Sequence, residues 1–386
     1  MESFFKTELG ALYRGETLET LSVIQDESVD CCITSPPYWN LRDYGIPGQL
    51  GNESDFHEYL NRLWLIFGEV CRILKPTGTC WVNLGDTYCG SGNGGGSKSL
   101  ANSKQVYLNE TNIKSGKVKG IKNKSLCQIP SRFAIGMTDR GWILRNEIIW
   151  WKKNQMPSSV NDRFTVDFEK VFFFTKNEKY YFNQQFEPLS DETIARCNRN
   201  FVSKRYDSQG VYLNQNQKEF AEKVRQGLVL GRNKRTVWQI STKPFKEAHF
   251  AVFPEDIPAL CIQAGSPEII CNACGEPEKN VYNSKVVFKG KQTDRKVARI
   301  NAVSSTSVFK TNDIVSKELT KTVCGCNAGF HGGVVLDIFL GAGTTALVAE
   351  KLNRRWIGIE INKDYCDMAV KRIKENCKES LLFALQ

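Results

Sequence analysis

Histidine is scarce. The 386 residues contain three, His57, His249 and His331, and none stands in a recognisable catalytic-triad signature. No apolar run approaches the length of a membrane span. Met1 to Gly10 shows no basic segment leading into an apolar stretch, so no secretory signal is expected and the chain is expected in the cytosol. In that compartment the fourteen cysteines are read as core thiols rather than a disulfide framework, with close-set pairs as candidate metal ligands. No internal repeat is found. The glycine run from Gly90 to Gly96 lacks the Gly-Lys-Ser/Thr ending of a phosphate-binding loop, which leaves a mobile loop as its reading.

What the chain does contain is enough apolar material, 41%, for a sizeable core, and a net charge of +10. A basic balance points to a polyanionic partner, nucleic acid first. Residues 11–35 read as strand, helix, strand. Phe56, Leu60, Leu63, Phe67, Val70 and Leu74 recur at helical spacing over 55–75, with Pro76 and Gly78 as the stop. Thr79 to Leu84 reads as a buried strand. Residues 131–141 read as a helix, and Glu147–Trp151 and Glu169–Thr175 as apolar segments. A helix starts in the segment from Phe253 to Ile262. Gly333 to Asp337 is a strand, 346–352 a helix, Trp356 to Glu360 a strand, and Asp364 to about Lys374 an amphipathic helix. Such alternation predicts an α/β domain with a largely parallel sheet.

Two stretches carry chemistry. Gly341-Ala342-Gly343-Thr344-Thr345 follows a strand, and two glycines there allow a sharp turn and close approach to a ligand. The next strand ends in Glu360, about twenty residues on, where a carboxylate can accept both hydroxyls of a ribose. The unit reads as an adenosine site without a pyrophosphate; a tight structural turn is the plainer alternative. Ser35-Pro36-Pro37-Tyr38 closes the apolar strand Val29 to Ile33. Two prolines remove two N–H donors and stiffen the chain. They leave a rigid row of carbonyl acceptors beside a hydroxyl, suited to an exocyclic amine, and Tyr38 offers a stacking face. Taken alone, this segment could equally be a structural turn.

Together the two stretches resemble the β-class of DNA amino-methyltransferases. There a Ser/Asp/Asn-Pro-Pro-Tyr segment comes first, a target-recognition region follows, and a Phe-x-Gly-x-Gly turn comes last. Here the order is Ser35–Tyr38, then 185–245, then Phe339-Leu340-Gly341-Ala342-Gly343. The resemblance extends to His249-Phe250-Ala251-Val252-Phe253-Pro254, to Asp337 and to Glu360. Where the family has Gly-Asp near the cofactor adenine, this chain has Gly15-Glu16, one methylene longer.

The resemblance implies a seven-stranded, mostly parallel sheet of the S-adenosylmethionine-dependent type, in permuted chain order, so that the first and last segments lie side by side. It implies that Ser35 and the carbonyls of Pro36 and Pro37 hold the target amine while Tyr38 stacks on the base. It assigns Glu16, Phe253, Asp337, Phe339, Gly341, Gly343, Thr344 and Glu360 to the cofactor. The expected domains are a catalytic half at 1–184, a target-recognition region at 185–245 and a cofactor-binding half at 246–386. Double-stranded DNA is the expected partner, with a cognate restriction endonuclease as a candidate, and the location is cytoplasmic, with the nucleoid.

Serine at the first motif position implies N4 of cytosine, with N6 of adenine as the alternative. A homologue that binds DNA without turnover is the further alternative. No proline is followed by cysteine, so the nucleophile of C5-cytosine methyltransferases is missing. Related Asn-Pro-Pro-Tyr enzymes acting on RNA or protein amides carry their cofactor turn before the catalytic segment, the reverse of the order here.

Three further features stand out. Cys271-x-x-Cys274 and Cys324-x-Cys326 have the spacing of a thiolate zinc site, with His331 near enough to replace one ligand. They flank an insertion, 271–326, whose stretch from Glu276 to Val323 has ten Lys/Arg against five Asp/Glu. A second basic loop, 89–124, carries seven lysines from Lys98 to Lys124. Both are expected to face phosphates. Trp150-Trp151-Lys152-Lys153 reads either as a base-stacking surface or as a core strand reaching the surface.

Overall fold

The computed structural model describes residues 2–41, 45–46, 48–90, 120–198, 215–226, 229, 231–242, 253–288 and 314–383. Most of the glycine- and lysine-rich loop and residues 243–252 lie outside the described residues, as do 199–214 and 289–313.

The elements in chain order begin with β1 (Phe5–Lys6), β2 (Gly10–Arg14), α1 (Thr17–Ser22), β3 (Val29–Thr34), α2 (Phe56–Ile73) and β4 (Leu74–Leu84). Next are α3 (Ile129–Asp139), β5 (Ile143–Trp151), β6 (Phe168–Thr175), β7 (Phe186–Glu187), α4 (Asp191–Asn198), α5 (Gln215–Arg225), β8 (Arg232–Asn233) and β9 (Val237–Gln239). The chain closes with α6 (Asp256–Gly265), β10 (Ile270–Cys271), β11 (Lys279–Phe288), β12 (Ile314–Thr322), β13 (Phe330–His331), β14 (Val334–Asp337), α7 (Thr344–Lys351), β15 (Arg355–Glu360) and α8 (Lys363–Phe383).

The main sheet runs β1-β2-β15-β14-β3-β4-β6-β5-β9. From β2 to β4 all neighbours are parallel, and β6 is antiparallel to both β4 and β5. A seven-stranded body, β2 to β5, is thus extended at its edges by the short β1 and β9. The permuted order is visible in the pairing: β15 lies on β2, and β14 lies on β3. The two ends of the chain form one continuous sheet.

Alternation along the strands feeds two cores, one on each face. On one side Cys32, Cys80, Val82, Phe172 and Phe174 pack under α2 and α3. On the other, Cys31, Ile33, Trp81 and Phe173 pack under α6, α7 and α8. α2 buries Phe56, Tyr59, Leu60, Leu63, Phe67 and Val70 at intervals of three and four, and Asp55 caps its first turn by accepting from the His57 N–H at 3.1 Å. It ends at Ile73, two residues before the sequence-based limit. Lys75 precedes Pro76, and a residue before proline is pushed to extended backbone. The chain therefore enters β4 at Leu74, ahead of the strand expected from Thr79. α8 runs past Lys374 to Phe383.

The chain divides into two compact units. One comprises Met1–Asn183, Arg235–Gly275 and Ala328–Gln386, and holds the main sheet. The other comprises Gln184–Lys234 and Glu276–Asn327. It contains the β7–β8 ladder, the α4–α5 pair and the β11–β12 hairpin. Within it Arg225 donates to the Cys197 carbonyl at 2.9 Å, fastening α5 to α4.

Candidate active site

β3 and β14 are adjacent and parallel, so Ser35 and the glycine turn leave the sheet at the same carboxyl edge, where open α/β sheets place their ligands. Asp337 ends β14 and is buried. Its Oδ1 accepts from the Thr34 hydroxyl at 2.8 Å and the Phe339 N–H at 3.1 Å, and its Oδ2 accepts from the Thr345 hydroxyl at 2.6 Å. Desolvation pushes its pKa up to about 6, against the lowering effect of those three donors. Asp337 is thus the knot between the two motifs.

The turn itself is built on positive φ, 54° at Gly341 and 82° at Gly343. A Cβ at Gly343 would lie 2.7 Å from that of Ala369 on α8, so the close approach of that helix requires glycine. A Cβ at Gly341 would meet only the Phe339 carbonyl, at 4.0 Å. Thr344 is buried, and its hydroxyl accepts from Arg372 at 3.0 Å. On β15, Glu360 accepts from the Gly341 N–H and the Asn362 N–H, both at 2.8 Å. Burial raises its pKa above the usual carboxylate value. The Gly15 N–H donates to the Glu360 carbonyl at 3.1 Å, which brings Glu16 beside the turn. The Glu16 carboxylate caps α1, accepting from the Glu19 N–H at 2.9 Å. Phe253 packs on the core beneath α6, and Phe339 packs on the opposite core. The stretch His249–Val252 lies outside the described residues.

The Ser35–Tyr38 segment is held from several sides. Tyr59 donates its hydroxyl proton to the Pro37 carbonyl at 2.8 Å, which leaves that oxygen one lone pair. Gly85 packs on the Tyr38 ring, where a Cβ would come within 2.5 Å. The Tyr38 hydroxyl lies 2.6 Å from Glu169 Oε2 and 3.1 Å from Asn83 Oδ1. Burial first, and then the Glu169 carboxylate, raise the Tyr38 pKa well above its ordinary value, so the phenol keeps its proton. Ser35 Oγ lies 3.4 Å from Asn83 Oδ1 and 3.5 Å from the Tyr38 hydroxyl. Lys152 pairs with Glu169 Oε1.

Asn83 and Glu169 carry no motif. Their one signal in the sequence is a polar residue at the end of an otherwise apolar strand. Trp150 is core: it is buried, and its ring N–H donates to the Ile240 carbonyl at 2.9 Å. Trp151 reaches the surface, 38% exposed.

The four cysteines come together. The Sγ atoms of Cys271, Cys274, Cys324 and Cys326 all lie within 4.8 Å of one another. β10 pairs with β13, and the Asn272 N–H donates to the Gly329 carbonyl at 3.1 Å, which holds the strands leading to the cluster. His331 is not in the cluster; its Nε2 lies 3.3 Å from Arg355. Among the described residues no helix is long and apolar enough to cross a membrane.

The N6/N4 family profile, described as a DNA methylase, matches residues 29–281 and 314–371. The Type II methyltransferase M.Cfr9I of Citrobacter freundii is 33% identical over 363 residues, 94% of this chain and 87% of the relative. The Type II methyltransferase M.SmaI of Serratia marcescens is 30% identical over 361 residues, 93% of this chain and 89% of the relative. Among solved structures, the PvuII DNA methyltransferase, described as cytosine-N4-specific, superposes with a TM-score of 0.52 at 20% identity, covering 96% of this chain and 88% of that one. At that identity the likeness is one of fold.

Proposed function

The chain belongs to the N6/N4 DNA methylase family, S-adenosylmethionine-dependent DNA amino-methyltransferases, and on that premise we propose that it methylates the exocyclic N4 amine of cytosine in double-stranded DNA. One observation carries the reading: a neutral hydroxyl, Ser35, stands first in the acceptor segment on the strand next to the glycine turn. By family resemblance, serine at that position goes with cytosine.

The residues at the turn fit the cofactor. The backbone at Gly341 is open to a ligand, and Glu360 presents a carboxylate with lone pairs left after its two backbone contacts. Phe339, Gly341, Gly343, Thr344 and Glu360 would hold the adenosine, with Glu16 at the adenine side and Phe253 toward the methionine end. Asp337 acts one step behind them, by fixing the turn. When bound, S-adenosylmethionine supplies an electrophilic methyl group on a sulfonium.

The protein's own part is to present the amine. Ser35 Oγ and the Pro36 carbonyl accept its N–H bonds and draw its lone pair out of conjugation with the ring. Tyr38, held on edge by its hydroxyl, offers its face to the flipped base.

The cysteine cluster suits a structural zinc. Tetrahedral thiolates around zinc stand roughly 3.8 Å apart, given a Zn–S bond of about 2.3 Å. The four Sγ atoms all lie within 4.8 Å of one another, close enough for one ion to gather them. Residues 185–245 are proposed to read the sequence, and the basic stretches 98–124 and 276–323 to contact phosphates. Relatives named Type II support a cognate restriction endonuclease, and the proposed DNA substrate supports a cytoplasmic location with the nucleoid.

Mass spectrometry of nucleosides from treated DNA tests the function. N4-methylcytosine is expected. N6-methyladenine would overturn the base and keep the class. No methylated base, with DNA bound, would leave the non-catalytic homologue.

A further inference from the structure

Ser35 can serve as an acceptor only if its own proton points elsewhere. A hydroxyl has one proton and two lone pairs, and it rotates to suit its surroundings. What surrounds Ser35 is therefore decisive. Two polar groups of the network stand close, the Asn83 amide at 3.4 Å and the Tyr38 hydroxyl at 3.5 Å.

Both present acceptors, for reasons that lie one residue further out. The Asn83 amide nitrogen donates to the Lys170 carbonyl at 3.2 Å, which turns its Oδ1 toward Ser35. The Tyr38 hydroxyl spends its single proton on Glu169 Oε2 at 2.6 Å, a charge-assisted bond of the short kind. Lys152 pairs with the other oxygen, Oε1, so Glu169 accepts from both sides. Nothing in this network donates to Ser35. Its proton is drawn inward, toward Asn83 Oδ1 and the Tyr38 oxygen, and its lone pairs are left facing outward.

We propose that Glu169 and Asn83 are positioning residues that commit the Ser35 hydroxyl to accepting from the target amine, Glu169 acting through Tyr38. This rests on the reading of Ser35 as the amine's acceptor. It also accounts for a carboxylate on β6 and a lysine just after β5, at a site whose first residue is neutral. A serine in water would present its proton as readily as its lone pairs. Here the protein has removed that choice before the base arrives.

The test is a double-mutant cycle, with kcat, DNA KM and S-adenosylmethionine affinity measured in each variant. In Glu169→Gln the amide can donate to the Tyr38 oxygen, which frees the Tyr38 proton to point at Ser35. Its kcat should fall roughly ten- to a hundredfold, with KM and cofactor affinity within about twofold of wild type. Glu169→Asp keeps an anionic acceptor and should recover part of the loss. In a Tyr38→Phe background the route is gone, so Glu169→Gln should add less than about a twofold further loss. Asn83→Ala should show the same split between kcat and KM.

An unchanged kcat in Glu169→Gln, a change confined to KM, or an equal loss in the Phe background overturns the proposal. If Glu169→Gln no longer binds cofactor because it fails to fold, the Asn83→Ala split decides. A wild-type protein that methylates no DNA overturns the function reading and the proposal with it.

Discussion

The Thr34 hydroxyl donates to Asp337 Oδ1 at 2.8 Å, across 303 positions of the chain. Thr34 is the residue before Ser35, and Asp337 is two residues before Phe339. Between two paired strands, this hydrogen bond thus ties the segment proposed to hold the amine to the turn proposed to bind the cofactor. The same carboxylate takes the Thr345 hydroxyl on its other oxygen, so the first turn of α7 is tied in as well.

That burial makes stability depend on pH. The folded pKa of Asp337 is about 6, above the ordinary 3.8, so the folded protein holds this proton more tightly than the unfolded chain. The stability gained is fully present below about pH 4 and is lost as pH rises through about 6, on the order of 2–3 kcal/mol in all. Asp337→Asn cannot ionise and should lack this slope. In urea melts from about pH 4 to about pH 7 the wild type should lose stability relative to Asp337→Asn as pH rises; parallel curves would show that Asp337 does not titrate here.

The two glycines of the turn should separate binding from folding. Gly341→Val places its side chain in open space, with strain from the positive φ of about 1–2 kcal/mol. It should abolish S-adenosylmethionine binding by calorimetry and lower Tm only modestly. Gly343→Ala drives a methyl into Ala369, and should cost about 1–3 kcal/mol more than its φ strain. If Gly341→Val binds the cofactor normally, the turn is not its site.

How much of this was legible in the sequence depended on distance along the chain. β3 with its Ser35–Tyr38 exit, the Gly341–Gly343 turn and Glu360 are local patterns, so spacing showed the strand and the turns, while their joint meaning came from the family resemblance. The adjacency of β3 and β14 was implied by family resemblance, since nothing in either strand names its neighbour. Asn83 and Glu169 were not legible. They lie 45 and 131 positions from Tyr38, and a polar residue at the end of an apolar strand has many ordinary uses. Glu16 was read as a cofactor residue from Gly15-Glu16; its observed contact is the cap of α1. β1 and β9 are two and three residues long, too short for any periodicity to show.

The cysteine cluster should hold about one zinc per chain, measured by elemental analysis on protein purified without chelator. Cys271→Ser and Cys324→Ser should each remove it, because three thiolates and a hydroxyl bind zinc far less well. Cofactor binding should survive, since Cys271 and its partners take no part in the Gly341–Glu360 contacts. Zinc-free wild-type protein with four titratable thiols would remove the metal from the account.

Ser35→Ala is the sharpest probe of the chemistry. It deletes one oxygen and leaves the Tyr38–Glu169 bond, the Tyr59–Pro37 bond and the cofactor turn untouched. The Pro36 carbonyl remains as an acceptor, and it cannot hold both N–H bonds of the amine. Losing a preorganised polar partner at a reacting centre typically costs about a hundredfold or more in kcat. The cofactor should bind as before, because Ser35 follows the neighbouring strand and its hydrogen bonds run to Asn83 and Tyr38. DNA should bind nearly as before, because phosphate contacts dominate affinity. Single-turnover methylation at saturating cofactor separates these terms. A kcat within about threefold of wild type would show that the amine is held without Ser35, and would move the acceptor role to the backbone carbonyls.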